Sequence, residues 1–405
     1  MGTIYPYRPN MGKKPRNLPT FAFASFDPAK PYNDLPLLPP AAEIETRAVL
    51  KKCVTTRSAL AALQQAAALI PNQDVLINSI PLREAKDSSA IENIVTTNDK
   101  LFQFANTDAE GADPATKETL RYRSALMRGF DDIRERPLTT RTATAICRVI
   151  KNTDIDIRRT PGTTLRNQNT GKVIYTPPEG ETLLRDKMSN WERFLHEQED
   201  LDPVVRMAVG HYQFEAIHPF SDGNGRTGRI LNILFLIEQK LLDLPILYLS
   251  RYIHEHRNDY YRLLLDVTTK GAWEPWTLFM LAAIESTASW THAKIRAIKR
   301  LMEETVRHVS LLVPKSRELT EIIFVQPYCR TQDLVKLGLG TRKTATKYLG
   351  DLVLAGVLHE RKAGREKLYL NTRFLDLLMS DGHEFEPLSG RRTAHVSAKS
   401  RSDDM

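Results

Sequence analysis

The chain has 405 residues, 41% hydrophobic and 26% charged, with a net charge of +8. That length allows two or three domains, and that balance predicts a packed core. The three cysteines, Cys53, Cys147 and Cys329, are isolated, which excludes a CxxC zinc ribbon and a disulfide framework and fits a reducing compartment. The first residues carry no apolar signal segment. The longest apolar stretch, residues 59–70, is interrupted by Gln64 and Gln65 and is too short to span a bilayer. A cytoplasmic protein without a membrane partner is therefore expected. Part of the positive charge lies in the tails and the C-terminal third, which points to a local anionic partner.

Taken in chain order, residues 1–40 are rich in proline and aromatics and read as an extended segment clamped to a surface. Residues 42–69 keep apolar positions at helical spacing until Pro71-Asn72. Residues 120–130 and 139–150 repeat that pattern. Residues 158–178 break it. Asn169-Thr170-Gly171, then the β-prone Val173-Ile174-Tyr175 and Pro177-Pro178, predict a β-hairpin on a helical body. Asp202-Pro203 starts another helix, with Asp202 as N-cap. Beyond Pro314, segments 316–325, 331–337 and 341–355 read as short helices, and 358–362 and 367–370 as two strands. Three helices and a basic hairpin make a winged-helix pattern. Residues 379–405 are polar and are expected to be a disordered tail. The division is 1–110, 111–312, 313–378 and 379–405, in a mainly α fold without internal repeats.

The densest chemistry is the run His218-Pro219-Phe220-Ser221-Asp222-Gly223-Asn224-Gly225-Arg226-Thr227-Gly228-Arg229. Gly223-Asn224-Gly225 allows a tight turn into a helix, whose free N–H groups and dipole attract anions. Arg226 and Arg229 share one face at that helix end, and guanidinium forks bind phosphate oxygens. Asp222 is a candidate ligand for a divalent cation bridging two phosphates. His218 has the chemistry of a general base. Singly, each of these residues also fits a capped helix with surface arginines. Gly223-x-Gly225-x-x-Gly228, with Asp243 downstream, formally matches a dinucleotide fingerprint, but the preceding segment is helical instead of a buried strand. No Walker A loop is present. His254-Glu255-His256 is no metal signature, because neighbouring helical residues point different ways.

This run resembles the signature of the Fic (filamentation induced by cAMP) family, HxFx[D/E]GNGRxxR, at every fixed position. The likeness covers roughly residues 20–310 and implies a Fic-type helical bundle with a β-hairpin flap. It implies an enzyme that transfers AMP from ATP to a Ser, Thr or Tyr hydroxyl of a target protein, with Mg²⁺ or Mn²⁺. His218 would be the base and Asp222 the metal ligand. Gly223, Asn224, Gly225 and Arg226 would form the anion cradle, Thr227 and Gly228 would also border the ATP, Arg229 would meet the γ-phosphate, and Phe220 would anchor the loop. The Doc branch, which transfers phosphate, has a lysine where this chain has Gly225.

Ser88-Ser89-Ala90-Ile91-Glu92-Asn93 similarly resembles the family's inhibitory motif, [S/T]xxxE[G/N]. Glu92 would pair with Arg229 and misorient ATP, with Ser88 helping to hold the glutamate. Ser89-x-x-Glu92 also satisfies a capping box. The resemblance further implies that Lys172, Val173, Ile174 and Tyr175 form the flap that aligns the target, unless the hairpin is an ordinary surface turn. Tyr261 falls where relatives stack on adenine, and a core tyrosine is the alternative. Thr268 departs from an asparagine of some relatives. A homodimer, self-modification and removal of AMP are further family expectations. The winged helix, with Arg342, Lys343, Lys347, Arg361, Lys362, Arg365 and Lys367, suits either DNA or protein contacts. A nucleotide-sensing DNA-binding regulator and a toxin-like protein are the competing readings.

Overall fold

The computed structural model describes residues 26–105, 111–167, 170–363 and 366–388. The first helices are α1 (Arg47–Ala68), α2 (Asp74–Ile77), α3 (Ile80–Ile91), α4 (Asn98–Phe104), α5 (Pro114–Glu135) and α6 (Thr140–Lys151). A hairpin of β1 (Leu165–Arg166) and β2 (Val173–Tyr175) follows. Then come α7 (Glu181–Glu197), α8 (Pro203–Ile217), α9 (Asn224–Glu238), α10 (Leu249–Glu255), α11 (Arg257–Lys270) and α12 (Trp273–Val309). The C-terminal unit comprises α13 (Ser316–Val325), β3 (Tyr328–Cys329), α14 (Thr331–Lys336), α15 (Arg342–Leu354), β4 (His359–Ala363), β5 (Glu366–Leu370) and α16 (Thr372–Met379). The fold is mainly helical, as expected.

Helices α8 and α9 are buried on nearly every side. A helix with no polar face belongs in the middle of a bundle, and the others wrap this pair. Asp202 caps α8 by accepting from the Val204 N–H at 3.0 Å, and Pro203 takes the first helical position. Trp276 on α12 is buried against α8 and donates its indole N–H to the Ala208 carbonyl at 2.8 Å. Helix α1 is tied to α12 by Thr56 Oγ1 donating to the Leu281 carbonyl and by the Lys52–Glu285 ion pair. Of the segment expected to be extended and clamped, residues 1–25 lie outside the described residues, and 26–40 are clamped to the body but run through turns, with the Lys30 N–H bonded to the Asp27 carbonyl and the Leu35 N–H to the Tyr32 carbonyl. Asn190 exchanges two hydrogen bonds with the Leu38 backbone, and Lys187 donates to the Leu35 carbonyl at 2.6 Å.

The C-terminal unit is a winged helix with one more strand than its sequence predicts. The sheet order is β3-β5-β4, antiparallel, with Tyr328 opposite Leu370 and Cys329 opposite Tyr369. Strand β3 has two residues, too few for an alternation signal. Helix α16 and the residues after it pack on the helical body. Lys294 on α12 donates to the carbonyls of Leu377, Ser380 and Gly382, and Arg83 on α3 donates to those of Leu378 and Ser380 and to Asp381. Leu388 is buried. Residues 379–388, expected to belong to a disordered tail, are therefore held in place, and 389–405 lie outside the described residues.

Candidate functional site

The site grows from the turn between α8 and α9. His218 ends α8 in the left-handed region, with φ 50°, and its N–H donates to the Phe214 carbonyl at 3.0 Å. That conformation is uncommon for a side-chain-bearing residue and costs on the order of 1 kcal/mol. Surrounding bonds enforce it. Asn224 accepts from the Phe220 N–H and donates to the Phe220 carbonyl, both at 2.8 Å, which closes the loop. Phe220 is fully buried beside Phe214. Buried Arg158 donates to the carbonyls of His218 (2.8 Å), Ile217 (3.4 Å) and Pro178, so it joins the loop to the far side of the hairpin. Gly223 then turns the chain at φ 85° into α9.

Arg229, 1% exposed, is held on two sides. Its Nε donates to Ser88 Oγ at 2.8 Å, and its Nη2 to the Ser88 carbonyl and to Glu92 Oε1, both at 2.9 Å. Ser88 therefore grips the arginine, whereas the sequence expectation had it gripping the glutamate. Burial disfavours the guanidinium charge, and the Glu92 carboxylate overcomes this and holds its pKa above the ordinary value. The same carboxylate lies over the first turn of α9: a Cβ at Gly225 would collide with Glu92 Oε1. A negative charge thus sits at the amino end of α9, where dipole and free N–H groups favour an anion.

The end of α3 explains how Glu92 reaches that position. Asn93 takes a left-handed conformation, φ 61°, its N–H bonds to the Ala90 carbonyl, and the Ile94 N–H bonds to the Ser89 carbonyl. This is a Schellman turn with asparagine at the left-handed position. Glu92 is consequently a C-cap, which rules out the alternative capping box. Asn93 Oδ1 also accepts from Arg257 Nη1 at 3.1 Å.

Burial, then the Arg158 charge, lowers the His218 pKa to about 4, against the pull of the Glu215 carbonyl, Glu92 and Asp222. At neutral pH the ring is unprotonated and able to accept a proton. The Asp222 side chain is 62% exposed. It receives the Gly223 N–H on Oδ1 and Lys151 Nζ on Oδ2, each at 2.5 Å. Partial burial raises its pKa, and Lys151 outweighs this and leaves it lowered. Among the described residues no group of three or more His, Cys, Asp or Glu side chains could hold a metal, so Asp222 could supply only one accessible carboxylate to a divalent cation at this helix end. Arg226 is buried and donates to Glu118 Oε1 at 2.7 Å. Thr227 and Gly228 are buried as well. At Gly228 a Cβ would clash with Glu215 Oε1, so this glycine lets α8 and α9 approach.

The outer positions divide. Tyr261 is 43% exposed beside Arg257, and desolvation together with the Glu92 charge pushes its phenol up to about 12. Tyr260 is the core member of that pair and meets His211 Nε2 at 2.8 Å. Thr268 bonds Tyr212 inside the core, away from this surface. In the hairpin, Lys172 is exposed, and Val173 and Ile174 are half-buried. Tyr175 corrects its expected role as flap surface: it is buried, donates to the Ala216 carbonyl at 2.8 Å and packs with Phe26 and Tyr32. Its inward position is set by these contacts, while Val173 and Ile174 before it are equally half-buried. Asn169 lies outside the described residues. Glu118, Lys151 and Arg158 were not foreseen as site residues. Each is a single charged residue distant in sequence, without a pattern to mark it.

A buried helix pair whose connecting loop offers a neutral imidazole, a carboxylate and two guanidinium groups at one helix end is the Fic architecture. The chain matches the Fic/DOC family N-terminal region over residues 50–131, the Fic/DOC family over residues 137–236, and the C-terminal domain of SoFic-like protein adenylyltransferases over residues 301–374. The chain belongs to the Fic/DOC family. It is 34% identical over 112 residues to Protein adenylyltransferase Fic of Culex quinquefasciatus, covering 27% of this chain and 21% of that protein. It is 28% identical over 154 residues to Protein adenylyltransferase fic-1 of Caenorhabditis elegans, covering 37% of this chain and 28% of that one. The chain thus spans about a quarter of the length of these curated relatives. The crystal structure of a Fic family protein from Desulfovibrio desulfuricans shares the fold, with a TM-score of 0.52, 19% identity, and coverage of 82% of this chain and 98% of that one. Among the described residues no helix is long and apolar enough to cross a membrane.

Proposed function

We propose that this protein transfers AMP from ATP to a Ser, Thr or Tyr hydroxyl of a protein, and that Glu92 holds the activity in check. One observation carries the reading: a carboxylate, Glu92, occupies the amino end of α9 and engages Arg229. A site built for an anion is filled by an internal one. The relatives named as protein adenylyltransferases support the reaction type.

The ATP polyphosphate docks at the α9 amino end, with the cradle Gly223–Gly228 below it, Arg226 and Arg229 on its oxygens and Tyr261 beside the adenine. The target segment runs along the hairpin surface formed by Lys172, Val173 and Ile174, pairing through its main chain. His218 accepts the hydroxyl proton. The freed oxygen forms a bond to the α-phosphorus, the bond to the β-phosphate oxygen breaks, and that electron pair leaves with diphosphate. Asp222 would hold a divalent cation, Mg²⁺ or Mn²⁺, which when bound neutralises phosphate charge. Glu92 on Arg229 denies the γ-phosphate its partner, so the α-phosphate is misaligned for attack, and misalignment is costly in rate. The protein itself is one available target.

The test is incorporation of α-labelled ATP with Mg²⁺ by wild type, His218→Ala and Glu92→Gly. Glu92→Gly should label most strongly and His218→Ala not at all. Label that persists without His218 would reject the chemistry.

A second activity, binding of duplex DNA, is favoured by Arg342, Lys343 and Lys347, which are exposed on α15, the second helix of the helix-turn-helix. Arg361 of the wing is exposed, Lys367 pairs with Glu360 at 2.9 Å, and Arg365 lies outside the described residues. A salt-dependent mobility shift that vanishes when all three α15 residues become alanine supports DNA binding. No shift at low salt rejects it.

A further inference from the structure

Lys151 belongs to no part of the signature run, yet it touches that run's one carboxylate. It is the last residue of α6, which stops there because Asn152 takes a left-handed conformation, φ 52°. Its ammonium lies 2.5 Å from Asp222 Oδ2. Its stem lines the loop: a Cβ at Gly223 would come within 3.4 Å of Lys151 Cγ and Cδ and 3.2 Å of Cys147 Sγ. Cys147 Sγ also donates to the Asp222 carbonyl at 3.3 Å. The end of α6 therefore fixes the Asp222 carboxylate from both backbone and side chain.

The ammonium has a second carboxylate within reach. Glu118 Oε1 lies 3.6 Å from Lys151 Nζ and accepts from Arg226 Nη1 at 2.7 Å. Asp222, Lys151, Glu118 and Arg226 thus form a chain of alternating charge along one edge of the anion site. A divalent cation held by Asp222 would be repelled by the Lys151 ammonium and would compete with it for the same carboxylate charge. An ammonium leaving Asp222 already has Glu118 to receive it.

We infer that Lys151 is a resident counter-cation of the Asp222 metal position, which moves toward Glu118 when a divalent cation enters and so sets how much metal nucleotide binding requires. This rests on the nucleotidyl-transfer reading given above, because Asp222 is taken as the cation ligand. Lys151 acts through Asp222 and is a positioning residue. The closed protein keeps its loop carboxylate neutralised without metal, and metal binding carries the free-energy cost of displacing the lysine.

The experiment is a Mg²⁺ titration of ATP affinity, by calorimetry on the full chain, comparing wild type, Lys151→Gln and Lys151→Arg. The Mg²⁺ midpoint in Lys151→Gln should fall by about fivefold or more, the lower end of ordinary coupling between two ligands. Lys151→Arg, which keeps the charge, should stay near wild type. Direct Mn²⁺ binding followed by electron paramagnetic resonance, without nucleotide, should tighten in Lys151→Gln as well. A midpoint that is unchanged or raised in Lys151→Gln, with ATP still binding, overturns this inference alone. Absence of ATP binding at any Mg²⁺ concentration, in both wild type and Glu92→Gly, sinks the nucleotidyl-transfer reading along with it.

Discussion

Glu92 Oε1 lies 2.9 Å from Arg229 Nη2, and it reaches that distance across Gly225, where any side chain would meet it first. Three separate pieces of local structure converge on this contact: a Schellman turn that ends α3, a glycine in the first turn of α9, and a serine one helical turn before the glutamate. The pair joins α3 to α9 and closes the place where, on the proposed reading, a phosphate chain binds.

Replacing Glu92 with glycine should raise AMP incorporation by on the order of tenfold or more, equivalent to about 1.4 kcal/mol or more of barrier. It should also lower thermal stability of the nucleotide-free protein, because Arg229 loses its ion-pair partner while remaining buried. Glu92 is 35% exposed, so the loss is roughly 1–3 kcal/mol, less than for a fully buried pair. ATP with Mg²⁺ should restore the melting temperature by supplying a new anion. Unchanged melting in the variant, with or without ATP, would contradict the pairing.

Gly225→Ala tests the close approach. The added methyl would strike Glu92 Oε1 and come within 3.0 Å of Arg229 Nη1. It should loosen the glutamate without activating the protein, because it fills the cradle itself. In the Gly225→Ala/Glu92→Gly double variant, incorporation should stay about tenfold or more below Glu92→Gly alone, a difference of about 1.4 kcal/mol. Equal activity would mean that the phosphates do not lie over that turn.

The pH profile of Glu92→Gly carries the sign of the His218 shift. Burial and Arg158 lower that pKa from 6.5 to about 4, and Glu92 pulls it upward. Removing Glu92 leaves the imidazole no easier to protonate. The base form therefore persists as pH falls through 6.5, and kcat/KM for ATP, which reports the free enzyme, should begin to drop only well below that value. An acid limb centred at or above pH 6.5 would contradict the burial of this histidine.

Lys294 ties the end of the winged-helix unit to α12. It is fully buried, its ammonium donates to three backbone carbonyls, and burial lowers its pKa to about 7. Lys294→Met would leave those carbonyls unpaired and should cost roughly 1–3 kcal/mol. The folded-state pKa lies below the unfolded value of 10.5, so the unfolded chain binds more protons between pH 7 and 10.5. Wild-type stability should gain from this group as pH rises through that window. Denaturant melts at pH 7 and 9 should show that gain reduced in the methionine variant.

Much of the site was legible because its residues are neighbours. The run from His218 to Arg229 is contiguous, and Ser88 and Glu92 are separated by one helical turn, so spacing alone gathers them. The winged helix was legible from three apolar-periodic segments followed by a basic turn. Contacts that depend on packing were not. Glu118, Lys151 and Arg158 come from α5, α6 and the segment before β1, and look in sequence like any charged residue on a half-exposed helix or loop. The direction in which Arg229 crosses α3 decides that its Nε meets Ser88, and no spacing rule specifies a crossing direction. Tyr175 sits in a strand of three residues, too short for alternation to say which side faces inward. The two-residue β3 follows Pro327 and carries no pattern of its own.

The central claim is that nucleotide phosphates replace a carboxylate at the amino end of α9. Its most direct test is a crystal structure of Glu92→Gly with ATP and Mg²⁺. The expected result has the polyphosphate along residues 223–229, a terminal phosphate on Arg229, and the His218 ring facing the α-phosphorus. A nucleotide bound elsewhere, with the α9 amino end bare, would contradict it.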